Sequence, residues 1–238
     1  MSAIVEIRNL NGGYQEGVKI LQGVSLTIEH GETVGVIGMN GSGKSTLGKS
    51  ILNLLPYRNG TILFDGEDVT SLPTPMLSRK GIAMMQQGGI VFPTLSIYDN
   101  LKMAFHGKGK TDYVEQLKSI IPLLQQPERS LRHTMADKLS GGQRHQLALA
   151  MTLACHPKFV ILDEPSAGLS PTAVNEMYEM LTKVKARFGL SIMLIEQNVT
   201  RAIEFSSRVV MLGQGVVIEE YNKINITDIE KRMINFNR

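Results

Sequence analysis

Thr33-Val34-Gly35-Val36-Ile37-Gly38-Met39-Asn40-Gly41-Ser42-Gly43-Lys44-Ser45-Thr46-Leu47 is the stretch that decides the fold. Val34 to Ile37 is a short, nearly continuous apolar run, the mark of a strand buried on both faces, while Leu47, Ile51, Leu54 and Leu55 read as one face of a following helix. Between strand and helix, Gly38 to Ser45 has the spacing of a loop that cradles phosphate groups. The glycines let successive backbone N–H groups turn inward, and the helix N-terminus adds its own donors. Gly38, Asn40, Gly41, Ser42, Gly43, Lys44, Ser45 and Thr46 are therefore the candidate nucleotide-contacting positions. Lys44 supplies a point charge for β- and γ-phosphates, and the Ser45 hydroxyl is suited to Mg²⁺. A flexible surface loop rich in Gly and Ser would not explain a lysine and a hydroxyl fixed directly behind a buried strand.

A second apolar run, Phe159-Val160-Ile161-Leu162, ends in Asp163-Glu164. In open α/β sheets ligands bind beyond the carboxyl ends of the strands, so this places two carboxylates where the phosphates are expected. Asp163 is the candidate partner of Mg²⁺, and Glu164 the candidate general base or water-orienting group. Strand-end acids often only cap the next helix; here the upstream loop supplies the phosphate and metal that give the pair a use.

Farther out, Ile192 to Ile195 reads as another central parallel strand, and the alternation in Ile4, Glu6, Arg8 and in Val24, Leu26, Ile28 predicts half-buried antiparallel strands. Leu147, Ala150, Met151 and Ala154 form a helical stripe. From about Leu95 to His156 the pattern is helical, broken at Gly107, Gly109, Pro122 and Pro127, with no strand signal. The expected architecture is α/β: a P-loop NTPase core, an N-terminal antiparallel β subdomain, and a helical subdomain inserted at residues 95–156, all within one domain spanning 1–238.

Composition narrows the classes. A net charge of +3 and a pI near 8.9, with Lys and Arg scattered, argue against a nucleic-acid partner. No stretch approaches the ~18 apolar residues of a membrane helix, so a cytoplasmic or peripheral protein is expected. Cys155 is the only cysteine; with His156 alone it makes no metal site and reads as a small buried hydrophobe.

Leu139-Ser140-Gly141-Gly142-Gln143-Arg144 precedes the stripe at Leu147, so Ser140 is positioned as an N-cap and Gly141 and Gly142 expose backbone donors: a second anion site. With this motif the whole chain resembles the ABC ATPase family. The resemblance implies ATP and Mg²⁺ as cofactors and a head-to-tail dimer, in which Ser140, Gly141, Gly142 and Gln143 of one subunit face the γ-phosphate bound by the other. It also implies that Tyr14, in Asn11-Gly12-Gly13-Tyr14, stacks on adenine; read without the resemblance, Tyr14 is equally a surface aromatic. The family's glutamine loop, which touches Mg²⁺ and the transmembrane partner, resembles Met85-Gln86-Gln87-Gly88, where alignment on Val91-Phe92-Pro93 selects Gln87 and Gln86 is the alternative. Ser170 stands in the D-loop where most members have aspartate. Gln197 stands where most have a histidine near the γ-phosphate, and it hydrogen-bonds without becoming cationic.

Glu196-Gln197-Asn198, Ser166 to Pro171 and Val91 to Leu95 together resemble one of the two ATPase subunits of hydrophobic amino acid uptake transporters. The group departs from this chain at Gln86, where proline is common, at Gly89, where arginine is common, and after Ile218, where its glycine-containing ending is missing. The resemblance implies branched-chain amino acids as cargo, or urea and short amides in related systems. It further implies membrane permease subunits, a second ATPase that is a paralogue or a second copy, an extracytoplasmic binding protein acting indirectly, and a peripheral place on the cytoplasmic face of the inner membrane. Three rivals remain at this level: a soluble ABC ATPase outside transport, a P-loop kinase, and a nucleotide-binding regulator without turnover. The first usually carries two cassettes or a long coiled coil, and the second lacks any reason to carry Ser140 to Gln143.

Overall fold

The computed structural model describes residues 2–105 and 111–222. Two sheets organise them. The first is antiparallel, built from β1 (Ala3–Gly13), β2 (Leu21–Glu29), β4 (Tyr57–Phe64) and the short β5 (Glu67–Asp68), in the order β2-β1-β4-β5. The second contains β3 (Thr33–Ile37), β6 (Ile82–Met85), β7 (Phe159–Asp163), β8 (Ser191–Ile195), β9 (Arg208–Gly213) and β10 (Val216–Tyr221), in the order β10-β9-β3-β8-β7-β6. All its neighbours are parallel except β10, which folds back on β9.

The apolar runs in β3, β7 and β8 are buried at every position because both faces of the sheet are covered. On one face Phe159, Ile161, Met193 and Ile195 pack with Val34, Leu47 and the antiparallel sheet through Ile4, Ile7 and Leu10. On the other, Val160, Leu162, Ile192 and Leu194 pack with helices. Alternate residues of a strand point to opposite faces, so one five-residue segment serves two cores.

The helices are α1 (Lys44–Ile51), α2 (Thr74–Lys80), α3 (Ile97–Phe105), α4 (Thr111–Ile120), α5 (Glu128–His133), α6 (Gly141–Leu153), α7 (Pro171–Phe188) and α8 (Val199–Phe205). Residues 95–156 thus hold α3 to α6 with two short 3-10 turns; their extended structure among the described residues is an isolated bridge between Ser96 and Met135. Gly107 and Gly109, the chain after Asn222, and with it the end of the segment following Ile218, lie outside the described residues.

Two readings need correcting. Helix α1 ends at Ile51, so Leu55 is buried from a loop and Leu54 points to solvent rather than extending the helical face. Cys155 is exposed, not buried: it follows α6 at the molecular surface, where its Sγ lies 3.7 Å from the Ala104 carbonyl.

Candidate functional site

Strand order assembles the site. β3, β8, β7 and β6 are adjacent and parallel, so their carboxyl ends deliver four loops to one edge: Gly38 to Gly43 from β3, Gln197 from β8, Glu164 from β7 and Gln87 from β6. There Asn40, Gly41, Gly43, Lys44, Ser45, Thr46, Gln87, Glu164 and Gln197 line a cavity of about 480 Å³ together with Ile20. Ile20 was invisible to motif reading because it belongs to no motif; it reaches the cavity from the chain leading into β2.

The loop after β3 is held tightly. Gly38 has φ +156°, and a Cβ there would lie 2.1 Å from the Leu212 carbonyl oxygen of β9, so this position accepts no side chain. Gly43, with φ +103°, is the N-cap of α1 and leaves that helix start without a side-chain cap. The first-turn N–H groups therefore remain for an external anion. The ammonium of Lys44 is buried beneath the loop and donates to the carbonyls of Gly38 (2.8 Å) and Met39 (3.0 Å). Burial pushes its pKa down, and the charges of Glu164, Asp163 and Glu196 oppose that shift.

Opposite, the Ser45 hydroxyl donates to Asp163 Oδ1 at 2.8 Å. Asp163 is almost fully buried, and burial raises its carboxyl pKa against the Ser45 hydrogen bond and the charges of Lys49 and Lys44. Gln87 Nε2 donates to Glu164 Oε2 at 2.7 Å, so of the two neighbouring glutamines it is Gln87 that reaches across the cavity. Glu164 adopts a left-handed backbone at φ +47°, uncommon for a residue with a side chain, and its N–H donates to the Ile195 carbonyl. Partial burial raises its pKa, with Lys44 pulling it back. The hydroxyl, carboxylate and amide oxygens gathered here form a hard donor set. Among the described residues no group of three or more His, Cys, Asp or Glu side chains is placed to hold a metal. Ser45 and Asp163 are the residues whose oxygens would fit a Mg²⁺ ion beside phosphate groups.

Ser140, Gly141, Gly142 and Gln143 do not line this cavity. They start α6 with a capping box: the Ser140 hydroxyl accepts from the Gln143 N–H at 3.3 Å, and Gln143 Oε1 accepts from the Ser140 N–H at 3.0 Å. Gly141 and Gly142 face the chain entering α7, with Leu169 and Ala173 nearest to where their Cβ atoms would be. Tyr14 also lies outside the cavity lining; it is largely exposed, with Lys49 Nζ 5.7 Å from its ring centroid. Ser170 caps α7, its Oγ accepting from the Ala173 N–H, and Asn198 caps α8 by accepting from the Arg201 N–H.

One buried group escaped the motifs. His145, in the second turn of α6, lies with Nδ1 2.9 Å from the Gly141 carbonyl, and its ring packs on Gly89, where a Cβ would come within 3.1 Å. Burial pushes its pKa down.

Comparison with known proteins agrees with this geometry. The model of the ABC transporter family matches residues 21–167, more than half of the chain. The branched-chain amino acid transport ATP-binding protein LivF of Archaeoglobus fulgidus is 37% identical over 209 residues, covering 87% of each chain. BraG of Pseudomonas aeruginosa is 33% identical over 86% of this chain and 87% of its own length. The lipopolysaccharide export ATP-binding protein LptB of Haemophilus influenzae is 31% identical over 91% and 89%. Among solved structures, cbiO1 from Clostridium perfringens superposes with a TM-score of 0.80 at 26% identity, covering 99% of this chain and 96% of that one. A dimeric ATP-binding cassette holding ADP and Pi after hydrolysis has a TM-score of 0.78 at 24% identity, over 93% and 99%, a likeness of fold. Because the family model and relatives above 30% identity together span nearly the whole chain, the protein belongs to the ABC transporter ATP-binding family and is an ATPase.

Proposed function

We propose that this transporter ATPase energises the uptake of branched-chain or other hydrophobic amino acids. The observation that carries the ATPase half is the meeting of Lys44, Ser45, Asp163, Glu164, Gln87 and Gln197 at one sheet edge. The cargo half rests on the similarity to LivF and BraG. LptB, at comparable identity, serves lipopolysaccharide export, and this makes export the second reading.

In the proposed mechanism the N–H groups around Gly41 and Gly43, with Lys44, bind the β- and γ-phosphates of ATP, and Tyr14 approaches the adenine from outside the cavity. The Lys44 ammonium is held against the loop by two carbonyls, so its charge is fixed in place before ATP arrives. Ser45 and Asp163, with Gln87, would hold Mg²⁺; when bound, the ion neutralises charge developing on the phosphate oxygens. Glu164 orients the attacking water and accepts its proton, a role worth about 10² to 10⁴ in rate. Burial raises its pKa, the direction of a stronger base, while the charge of Lys44 opposes the shift. Gln197 donates a neutral hydrogen bond to the γ-phosphate.

Ser140 to Gln143 lie outside this cavity, which supports a head-to-tail pair in which each subunit's α6 N-terminus closes the other's site. ATP then favours closure because its γ-phosphate has donors on both subunits, and hydrolysis removes that advantage. The partner is a paralogous ATPase or a second copy, and the pair drives permease subunits that receive cargo from an extracytoplasmic binding protein. Among the described residues no helix is long and apolar enough to cross a membrane, which fits attachment through those permeases at the cytoplasmic face. The exposed Ile90 and Phe92, just beyond Gln87, offer apolar contact for such a partner.

The test is co-purification from the native membrane in mild detergent with mass spectrometry of the partners, followed by uptake assays with leucine and with urea. Two permeases, a second ATPase and leucine uptake are expected. Urea uptake, or recovery of a lipopolysaccharide export complex, would replace the cargo and keep the ATPase.

A further inference from the structure

Glu196 sits at the end of β8, beside Gln197, and is 3% exposed. A buried carboxylate is costly unless it is hydrogen-bonded. Here one oxygen, Oε1, accepts two hydroxyl donors: Ser166 Oγ at 2.7 Å and Tyr178 OH at 2.8 Å. The Glu196 N–H also donates to the Val36 carbonyl of β3. Each donor comes from a different structural unit. Ser166 belongs to the turn that follows Glu164, closed by a hydrogen bond from the Ala167 N–H to the Glu164 carbonyl. Tyr178 is buried in α7, where it packs edge-on against Phe205 of α8 with centroids 5.4 Å apart. On the other side of Gln197, Asn198 caps α8.

We propose that Glu196 is a positioning residue for ATP hydrolysis: by binding Ser166 and Tyr178 at once, it fixes Gln197 relative to the turn that carries Glu164. The proposal rests on the roles given above to Glu164 and Gln197. Physically, Glu164 is in a left-handed conformation and Gln197 lies between two anchored neighbours. Without the shared carboxylate, the turn after β7 and the end of β8 would lose this side-chain link and keep the strand pairing and the backbone bond from the Glu164 N–H to the Ile195 carbonyl, leaving the two side chains freer to drift apart. Glu196 touches no reacting atom on this account; it acts through the two residues that do. Ser166 and Tyr178 are its means of doing so.

The test is steady-state phosphate release by the full chain, with ATP affinity measured separately by a fluorescent ATP analogue. Ser166→Ala and Tyr178→Phe each remove one hydroxyl donor and are expected to lower kcat by about tenfold, the equivalent of one hydrogen bond to a charged group. Affinity should stay within about twofold, since the phosphate-binding loop is untouched. Ser166→Thr, which keeps the hydroxyl, should restore most of the rate. Glu196→Leu should lose at least as much as the Ser166→Ala/Tyr178→Phe pair; if that variant does not fold, the hydroxyl variants carry the test. Unchanged kcat in both hydroxyl variants, a loss of affinity in proportion to kcat, or no rescue by Ser166→Thr would each overturn the proposal. Glu164→Gln is assayed alongside. Its loss of hydrolysis together with silent hydroxyl variants rejects only the role of Glu196, whereas full activity of Glu164→Gln rejects the catalytic assignment beneath it.

Discussion

Gln87 Nε2 donates a 2.7 Å hydrogen bond to Glu164 Oε2, joining loops that follow two neighbouring parallel strands, β6 and β7. The bond spans 77 residues of sequence, yet strand pairing makes it a local contact. It links the carboxylate proposed to orient water with the loop whose next residues, Ile90 and Phe92, face outward. A partner that displaced this loop would therefore change how Glu164 is held.

Substituting Glu164→Gln keeps the shape of the side chain and removes its basicity. Hydrolysis is expected to fall by about 10² to 10⁴, while ATP still binds and an ATP-bound dimer accumulates. Phosphate release and size-exclusion chromatography with ATP check the two halves. Turnover at the wild-type rate would falsify the assignment.

Lys44→Ala acts at an earlier step. The ammonium is buried and positioned by two carbonyls, so its removal leaves the loop without its fixed charge. ATP affinity is expected to weaken by roughly ten- to a hundredfold, the cost of a charge-assisted hydrogen bond. Titration calorimetry with ATP measures it directly, and an unchanged dissociation constant would remove Lys44 from the binding site.

Gly38→Ala should injure both the fold and the site. The new methyl group would meet the Leu212 carbonyl at 2.1 Å in a backbone conformation that alanine disfavours. Backbone strain of this kind costs roughly 1–3 kcal/mol, so the midpoint of thermal unfolding should drop and ATP should bind less tightly. A variant as stable as the wild type would show that β9 yields at that point.

His145 predicts a pH effect on stability. Burial holds its folded pKa below the ordinary imidazole value, so on acidification the unfolded chain takes up the proton first. The contribution is complete above the unfolded value of about 6.5 and is lost as pH falls from there toward the lower folded value. In His145→Gln the urea midpoint should vary less across that window than in the wild type. Equal slopes in the two proteins would mean that other groups govern the response.

Local chemistry was legible in the sequence where consecutive residues carry it. The loop from Gly38 to Ser45 and the N-cap at Ser140 depend on backbone angles and hydrogen bonds within a few residues, and the structure has the N-cap where the spacing predicts, with Gln143 completing it as a capping box. The fully buried strands β3, β7 and β8 declared themselves through short, nearly continuous apolar runs. Strand β6 did not, because Ile82-Ala83-Met84-Met85 is short and made of residues that suit helices equally well. The Asn59-Gly60 step similarly hides β4, where Gly60 takes a positive φ within the strand.

The sequence by itself determined that this chain has a glycine-rich loop between a buried strand and a helix, an acidic strand end and a serine-capped helix start, since each is a short-range pattern. Tertiary structure alone decided which glutamine meets Glu164, that Ile20 lines the cavity, and that Ser166 and Tyr178 share one oxygen of Glu196. The meeting of Gln87 with Glu164 and of Ser166 with Glu196 follows from the order β3-β8-β7-β6, while Ile20 and Tyr178 come in from the chain before β2 and from α7, which pack on a sheet covered on both faces. No window of neighbouring residues contains that information, because burying a strand on both faces is a property of everything packed around it.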